Sequence, residues 1–252
     1  MLTRARQRTA DESGFTLVEL LMSISIGTIV MLALFTLVDQ AMPAQTRISD
    51  RTEAQQRART AIDRITRPFR SAVCVPSSTG ALLSPLLSAD GQQITFFSYV
   101  TNASDVSSNA FEPVIRQIVY DPAANTLTRK TWGPWWGNPI DLNVAPPDPT
   151  VTSPDKTETL LTNVSPSGDA NKNVDPSAVF GYFTPDGTTA LAPANIGSNL
   201  DLIDRLRVGI TVGPARASSY TGSSTTLVED ATLGITPSYV NGVAQGGPQC
   251  EI

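Results

Sequence analysis

Residues 14–38 read GFTLVELLMSISIGTIVMLALFTLV, and no residue from Leu20 to Val38 is charged. A helix over this uncharged run is roughly 28 Å long at 1.5 Å per residue, about the thickness of the hydrocarbon core of a bilayer. Residues 1–14, MLTRARQRTADESG, are polar and basic at positions 4, 6 and 8. The pattern predicts one membrane-spanning helix, with the leader on the cytoplasmic side and the rest of the chain outside.

Three interpretations of this stretch compete. A secretory signal has a shorter apolar core and a small-residue cleavage site, whereas Asp39 and Gln40 follow this run directly. A generic signal anchor fits the length but does not explain Glu19. A carboxylate one helical turn inside the apolar edge costs on the order of 1–3 kcal/mol unless it has a partner.

The third interpretation accounts for Glu19. The string from Gly14 to Glu19, GFTLVE, resembles the class III signal of type IV pilins and type II secretion pseudopilins. The resemblance implies that prepilin peptidase cuts after Gly14, that the new N-terminal Phe15 is methylated, and that the apolar helix is retained. It also implies a partner for Glu19, the α-amino group of Phe15 in a neighbouring subunit. Their attraction is stronger in an apolar medium than in water.

The segment 39–73 predicts that the same helix extends onto a globular domain. Two adjacent seven-residue rows make a narrow apolar stripe that is clear only from Ala58 onward; they contain Ile48, Gln55, Ile62 and Phe69, and Ala58, Ile65 and Ala72. We expect the helix to reach about Arg67 and Pro68 to end or kink it. The other faces carry Arg47, Arg51, Arg57, Arg59, Arg64, Arg67 and Arg70 against Asp50, Glu53 and Asp63.

These arginines have two interpretations. They could bind DNA, or they could form a solvated helix face that also pairs with acidic neighbours in a filament. The net charge of −5 and the pI of about 4.8 favour the second.

Beyond Cys74, residues 74–252 predict an extracytoplasmic, β-rich domain, so the fold class is α+β with a mostly antiparallel sheet. The loop 133–157 interrupts it. A turn at 121–125 joins two strands as a hairpin, and a second turn is expected at Asp186-Gly187. The predicted strands are Gln92–Val100, Pro113–Tyr120, Thr126–Trp132, Glu158–Val164, Ala178–Thr184, Asp201–Val212 and Thr225–Ile235.

The body also resembles a subgroup of this family. The strings ITFFSYV, IVYDPAANTLTR, VFGYFTPDG and LIDRLRVGITV are similar to the bodies of W-type minor pilins and J-type minor pseudopilins. Many major pilins have a proline about 22 residues after cleavage; Thr36 stands there, and Pro43 is the nearest proline. The chain after cleavage is 252 − 14 = 238 residues long, which is large for a major subunit. The resemblance therefore implies a minor, tip-located or priming subunit.

Two further groups of residues are candidate binding sites. Trp132, Trp135 and Trp136 could form a carbohydrate or adhesion platform, or they could cover the sheet beneath a long loop. The run from Asp169 through Asn171 and Asn173 to Asp175 has the alternation of a calcium loop, but Val174 and Phe180 stand where such loops have glycine and glutamate. An ordinary Asn/Asp-rich turn is the favoured interpretation.

The two cysteines, Cys74 and Cys250, can form one disulfide in an oxidising compartment outside the membrane. Two unrelated buried thiols are the alternative. A bond would pin the C-terminal tail to the point where the helix gives way to the sheet.

The sequence offers no catalytic pattern. With no histidine, His-dependent triads and HExxH zinc sites are excluded, and a P-loop and a dinucleotide fingerprint are absent. We expect a structural protein that needs no cofactor. The family resemblance implies as partners other pilin or pseudopilin subunits, prepilin peptidase and an inner-membrane assembly platform. It places the protein first in the cytoplasmic membrane and then in an extracellular or periplasmic filament.

The class III signal predicts the mature N-terminus. Mass spectrometry of mature protein should find N-methylated Phe15, and a bulky replacement of Gly14 should leave uncut precursor, because a glycine backbone fits a tight protease cleft. A mature N-terminus beyond Val38 would contradict the assignment.

Overall fold

The computed structural model describes residues 15–76, 82–101, 111–135, 144–170, 175–185, 190–192, 196, 199–215, 224–234, 239–240 and 243–244. It has two compact units, residues 1–47 and 48–252. The fold class is α+β, as predicted: helix α1, Leu17–Arg70, precedes antiparallel strands. The boundary between the units falls inside the predicted helix extension, residues 39–73.

The C-terminal part of α1 packs on the sheets through small and aliphatic side chains. The buried residues of α1 are Ala54, Ala58, Ala61, Ile62, Ile65, Thr66 and Phe69. The three alanines allow the helix backbone to approach the strands closely. Ile48 is 68% exposed, so the buried stripe begins at Ala54 and not at Ile48.

The helix continues through Pro68, although the sequence analysis expected it to reach only about Arg67. A proline in the last turn removes a single helical hydrogen bond. Phe69 is fully buried, with its ring edge-to-face against Phe96 at 5.8 Å between centroids. This packing holds the last turn on the core.

Five strands that follow one another along the chain form an antiparallel meander, each paired with the next. Two further strands, Val75–Pro76 (β1) and Leu82–Leu83 (β2), form a small ribbon beside it. The predicted hairpin at residues 121–125 is confirmed, and Asn125 closes it at φ 52°. The meander strands are Leu86–Ala89 (β3), Gln93–Thr101 (β4), Phe111–Asp121 (β5), Thr126–Trp132 (β6) and Lys156–Thr162 (β7).

A second sheet is built around one central strand. Strand β10 pairs with β11 along one edge and with both β8 and β9 along the other. A separate short hairpin joins Tyr239–Val240 (β12) to Val243–Ala244 (β13). The strands of the second sheet are Val164–Pro166 (β8), Phe180–Phe183 (β9), Arg205–Val212 (β10) and Thr225–Thr232 (β11).

Several predicted strands are wrong in their bounds: the strand expected at 178–184 is Phe180–Phe183, and the one expected at 225–235 ends at Thr232. Two others differ because of the local backbone. The expected strand 158–164 is divided at Asn163, which adopts φ 56°, so the chain leaves the first sheet at Thr162 and enters the second at Val164. The expected strand 201–212 begins only at Arg205, because Leu200–Leu202 forms a 3₁₀ turn. The predicted turn at residues 186–187 lies outside the described residues.

The main core lies between α1 and the two sheets. Tyr182 of β9 is fully buried there, and the single proton of its hydroxyl is shared between the backbone oxygens of Asp90 and Gln93, at 2.9 and 3.0 Å. A smaller cluster of Val75, Phe97, Ile115 and Trp132 lies apart from this core.

Gly209 of β10 is expected to tolerate no side chain. A Cβ there would lie 2.5 Å from Ser167 Oγ and 2.8 Å from Ala170 N, and the backbone contact has no room to yield. Gly209→Ala should therefore lower the free energy of unfolding by about 1–3 kcal/mol, measured by urea denaturation. Gly213→Ala is the control, since its Cβ would meet nothing closer than 3.7 Å; equal losses in both variants would contradict the argument.

Candidate functional site

The N-terminal end of α1 begins with a side-chain cap. Phe15 and Thr16 precede the helix, and the N–H of Glu19 donates to Thr16 Oγ1 at 3.3 Å and to Thr16 O at 3.1 Å. Thr-x-x-Glu is the capping-box pattern, in which the threonine satisfies a free backbone donor of the first turn. The sequence analysis missed this role of Thr16, although the spacing of Thr16 and Glu19 signals it.

Glu19 combines exposure with an unpaired carboxylate. It stands in the first turn of α1, where the helix dipole favours a negative charge. Its carboxylate makes no hydrogen bond or ion pair among the residues that the structure describes. Phe15 is 76% exposed, and Gly14 lies outside the described residues. The arrangement leaves Glu19 available to a cation from another chain.

The apolar run of α1 is exposed along its length. Its large hydrophobic side chains, from Phe15 to Val38, are each at least half exposed. Among the described residues, α1 is the one helix long and apolar enough to cross a membrane, and no residue of its most apolar stretch is buried. By length and composition, this helix fits a membrane-anchored single span.

The hydroxyl groups within the apolar run are satisfied inside the helix. Ser23, Ser25 and Thr28 each donate to the backbone oxygen four residues earlier at 2.8 Å, and Thr36 donates to Ala33 O at 2.8 Å. A polar group left unpaired in lipid costs several kcal/mol. These bonds remove that cost, and Glu19 is the one ionisable side chain between Phe15 and Val38.

Three arginines of the predicted basic face fasten α1 to the strands. Arg57 donates to Thr162 O at 3.0 Å and to Gly213 O at 3.3 Å. Arg64 pairs with Glu158 at 2.9 Å, and Arg70 pairs with Glu229 at 3.3 Å. Arg67 pairs with Asp63 on the helix itself. Much of the basic face therefore has partners within the chain, which leaves fewer of its arginines available to DNA; pairing with acidic neighbours in a filament stays a prediction.

Glu158 is the centre of a charge cluster between α1 and the meander. It accepts from Arg64 and, at 2.6 Å, from Arg129. Burial alone would raise the pKa of Glu158, but the bond and charge of Arg129, with the charges of Arg64 and Lys156, offset burial and lower it. Burial and the nearby charge of Arg129 lower the pKa of Arg116 to about 10, so Arg116 stays cationic at neutral pH.

The predicted tryptophan platform is not formed by the two tryptophans that the structure describes. Trp132 is 2% exposed, and its Nε1 donates to Thr152 O at 2.8 Å. Trp135 packs against Phe97, with 5.9 Å between ring centroids, while Trp136 lies outside the described residues. The packing of Trp132 and Trp135 favours the alternative that they cover the sheet.

The predicted calcium loop lies only partly within the described residues. Asn171 and Asn173 are outside them. Asp175 Oδ1 accepts from the N–H and hydroxyl of Ser177 at 2.9 and 2.6 Å, as in an ordinary Asx turn. The N–H of Asp169 donates to Ser167 Oγ at 3.0 Å. The described residues contain no group of three or more His, Cys, Asp or Glu side chains placed to hold a metal.

The predicted disulfide is described at one end. Cys74 is disulfide-bonded, and Cys250, the other cysteine of the sequence, lies outside the described residues. The pairing of Cys74 with Cys250 stays a prediction.

Glu158→Gln is expected to destabilise the protein by roughly 1–2 kcal/mol at pH 7, because it leaves Arg129 and Arg116 without their counter-charge. Since the folded-state pKa of Glu158 is lowered, its stabilisation is present above the unfolded pKa of about 4.3 and is lost as pH falls through the folded pKa. Urea unfolding at pH 7 and pH 3, followed by tryptophan fluorescence, measures both effects. Glu229→Gln, at a more exposed pair, should cost less; a Glu158→Gln deficit that persists at pH 3 would contradict the electrostatic argument.

The comparisons with known proteins identify the N-terminal segment. A family model described as the prokaryotic N-terminal methylation motif matches residues 10–35, the stretch that contains Gly14, Phe15, Glu19 and most of the apolar run. None of the curated proteins compared with the chain matches it significantly. The chain thus carries the class III signal of type IV pilin-like proteins, which supports a type IV pilin-like or pseudopilin subunit that prepilin peptidase processes and that assembles with other such subunits.

Proposed function

We propose that this chain is a minor pilin-like structural subunit of a type IV pilus, cut after Gly14 and then assembled into a filament or used to prime one. The observation that carries the proposal is the exposed apolar helix, which lies inside the methylation motif at residues 10–35 and begins with Glu19. The Glu19 carboxylate has no partner among the residues that the structure describes. The subunit has no catalytic role and needs no cofactor of its own.

The exposed helix accounts for the two places in which such a subunit resides. In the cytoplasmic membrane, lipid covers its apolar side chains, and the body lies outside. Each Leu, Ile or Phe transferred into water would cost about 1.5–3 kcal/mol. Extraction therefore becomes favourable only where other apolar helices replace the lipid, as they do in a filament, and where an assembly ATPase supplies work.

Glu19 sets the register between neighbouring subunits in this assembly. Cleavage after Gly14 creates a cationic amine at Phe15, four residues from Glu19 in sequence. In a bundle of staggered helices, Glu19 of one subunit pairs with the amine of the next, and the low-dielectric surroundings strengthen the attraction. The capping bond from the Glu19 N–H to Thr16 leaves the carboxylate itself available for this pair.

Two features favour a minor subunit. The processed chain of 252 − 14 = 238 residues has a body that includes a five-stranded and a four-stranded sheet, which is large for a shaft repeated many times. Thr36 replaces the proline at which many major pilins interrupt the helix, and α1 is continuous there. The same features fit a minor pseudopilin of a type II secretion system, the second candidate. Recovery in filaments sheared from cells identifies a pilus subunit, while retention in the periplasm identifies a pseudopilin.

Glu19→Val tests the assembly role. Membrane insertion should survive, since the span becomes more apolar, and cleavage after Gly14 should continue. Incorporation into filaments should fall at least tenfold, measured by immunoblot of the filament fraction against the membrane fraction.

Thr28→Val is the matched control. It removes a polar group from the same helix, but one whose hydroxyl already bonds within the helix, so incorporation should stay at the wild-type level. Wild-type incorporation of Glu19→Val would contradict the proposed pair.

A further inference from the structure

A groove crosses the outer face of the meander, away from α1. Its volume is about 460 Å³, within the range of small-ligand sites. Side chains of β3, β4 and β5 form its floor, and residues 148–150 of the loop before β7 form one wall.

The floor of the groove is neutral and hydrogen-bonding. The Ser88 hydroxyl donates a hydrogen bond to Thr95 Oγ1 at 2.9 Å. Gln117 Nε2 donates to Thr95 Oγ1 at 3.3 Å and to Gln93 Oε1 at 3.4 Å. The last two bonds are long for N–H···O bonds. Gln93 Nε2 and Gln117 Oε1 form no further bond within the described part of the chain. Each amide therefore has capacity left for a ligand.

Strand register sets this polar floor beside an apolar row. Ser88, Thr95 and Gln117 lie opposite one another across three strands, and Lys130 continues the row onto β6. Two residues along the strands, Phe97, Ile115 and Trp132 form the apolar row of the same face. These three side chains are only 0–2% exposed, so the groove presents its amides and hydroxyls beside the half-buried Leu87 and Pro149 of its lining.

The wall of the groove is fixed in place. Asp148 Oδ1 accepts from the N–H and the hydroxyl of Thr150 at 2.8 and 2.7 Å. The indole of Trp132 holds the same loop through Thr152 O at 2.8 Å. The bonds from Thr150 lower the pKa of Asp148, so its carboxylate is an ionised acceptor at neutral pH. A wall held in this way loses little entropy when a ligand binds.

The chemistry of these groups selects one class of ligand. The Asp148 carboxylate disfavours anions, and one carboxylate is too few for a metal. The floor is a sheet face and not an edge, so it cannot add a peptide strand by backbone pairing. The paired donors and acceptors of the floor match the hydroxyls of sugars, and the apolar atoms of Leu87 and Pro149 beside them match the apolar face of a sugar ring. We propose that this groove binds a neutral oligosaccharide, which goes beyond the filament role and would make the subunit a surface-binding one.

The test uses the full processed chain in lauryldimethylamine oxide, because the headgroup of a maltoside detergent is itself a sugar. Immobilised neutral oligosaccharides of hexose and N-acetylhexosamine are presented beside sialylated and sulfated ones. We expect binding to neutral members and little to anionic ones. Gln93→Met and Gln117→Met, which keep side-chain length and remove the amide, should each weaken binding at least tenfold in titration calorimetry.

Thr157→Val is the matched control, since Thr157 lies opposite Lys130 on the same sheet but does not line the groove; binding should be unchanged. Thermal unfolding separates lost binding from lost folding, and Asp148→Asn on the exposed loop gives a second variant, expected to weaken neutral binding severalfold and to admit anionic members. Absence of neutral binding, preference for anionic members, or binding that the groove variants leave unchanged would overturn the proposal. Because binding is measured on the isolated subunit, its failure leaves the filament role intact.

Discussion

Burial of one apolar helix surface is the constraint on which the rest of the structure depends. The N-terminal part of α1 exposes its large apolar side chains from Phe15 to Val38, and a soluble chain could not leave such a surface in water. Its backbone and its hydroxyls are satisfied within the helix, so it can accept either lipid or neighbouring helices as cover. Glu19 is the exception, and an exception of this kind in lipid points to a specific partner.

The second part of α1 solves the opposite problem, because it must be fixed to a β-rich body. Alanines bring the helix backbone close to the strands, and the buried ring of Phe69 packs the last turn against Phe96. Three arginines of this part also bind the body: one donates a hydrogen bond to Thr162 O, and the other two form ion pairs with Glu158 and Glu229. The N-terminal part of α1 therefore presents an apolar surface that another molecule must cover. Its C-terminal part is amphipathic, and strands of the same chain cover its apolar side.

The two faces of the meander have different roles, one in stability and the other in the proposed binding. The face toward α1 contains the main core, with the charge cluster of Glu158 and Arg129 at its margin. The outer face carries an apolar row around Trp132 and a neutral polar row around Gln117. The indole N–H of Trp132 holds the loop between β6 and β7 through Thr152 O, so the buried Trp132 shapes the groove without lining it.

The sequence by itself determined the anchor, because the uncharged run, Gly14, Phe15 and Glu19 are adjacent in the chain and local periodicity suffices to interpret them. It also predicted the fold class and the hairpin of β5 and β6 with its turn at residues 121–125, since alternation and turn residues are local signals too. Strand pairing across long distances was decided only by the tertiary structure: the division at Asn163, the two partners of β10 and the fit at Gly209 depend on contacts between residues far apart in sequence. The burial of Trp132 and the pairing of the arginine face were likewise decided only by tertiary contacts. Whether an aromatic or charged side chain is exposed or paired depends on what packs over it, and composition carries no record of that neighbour.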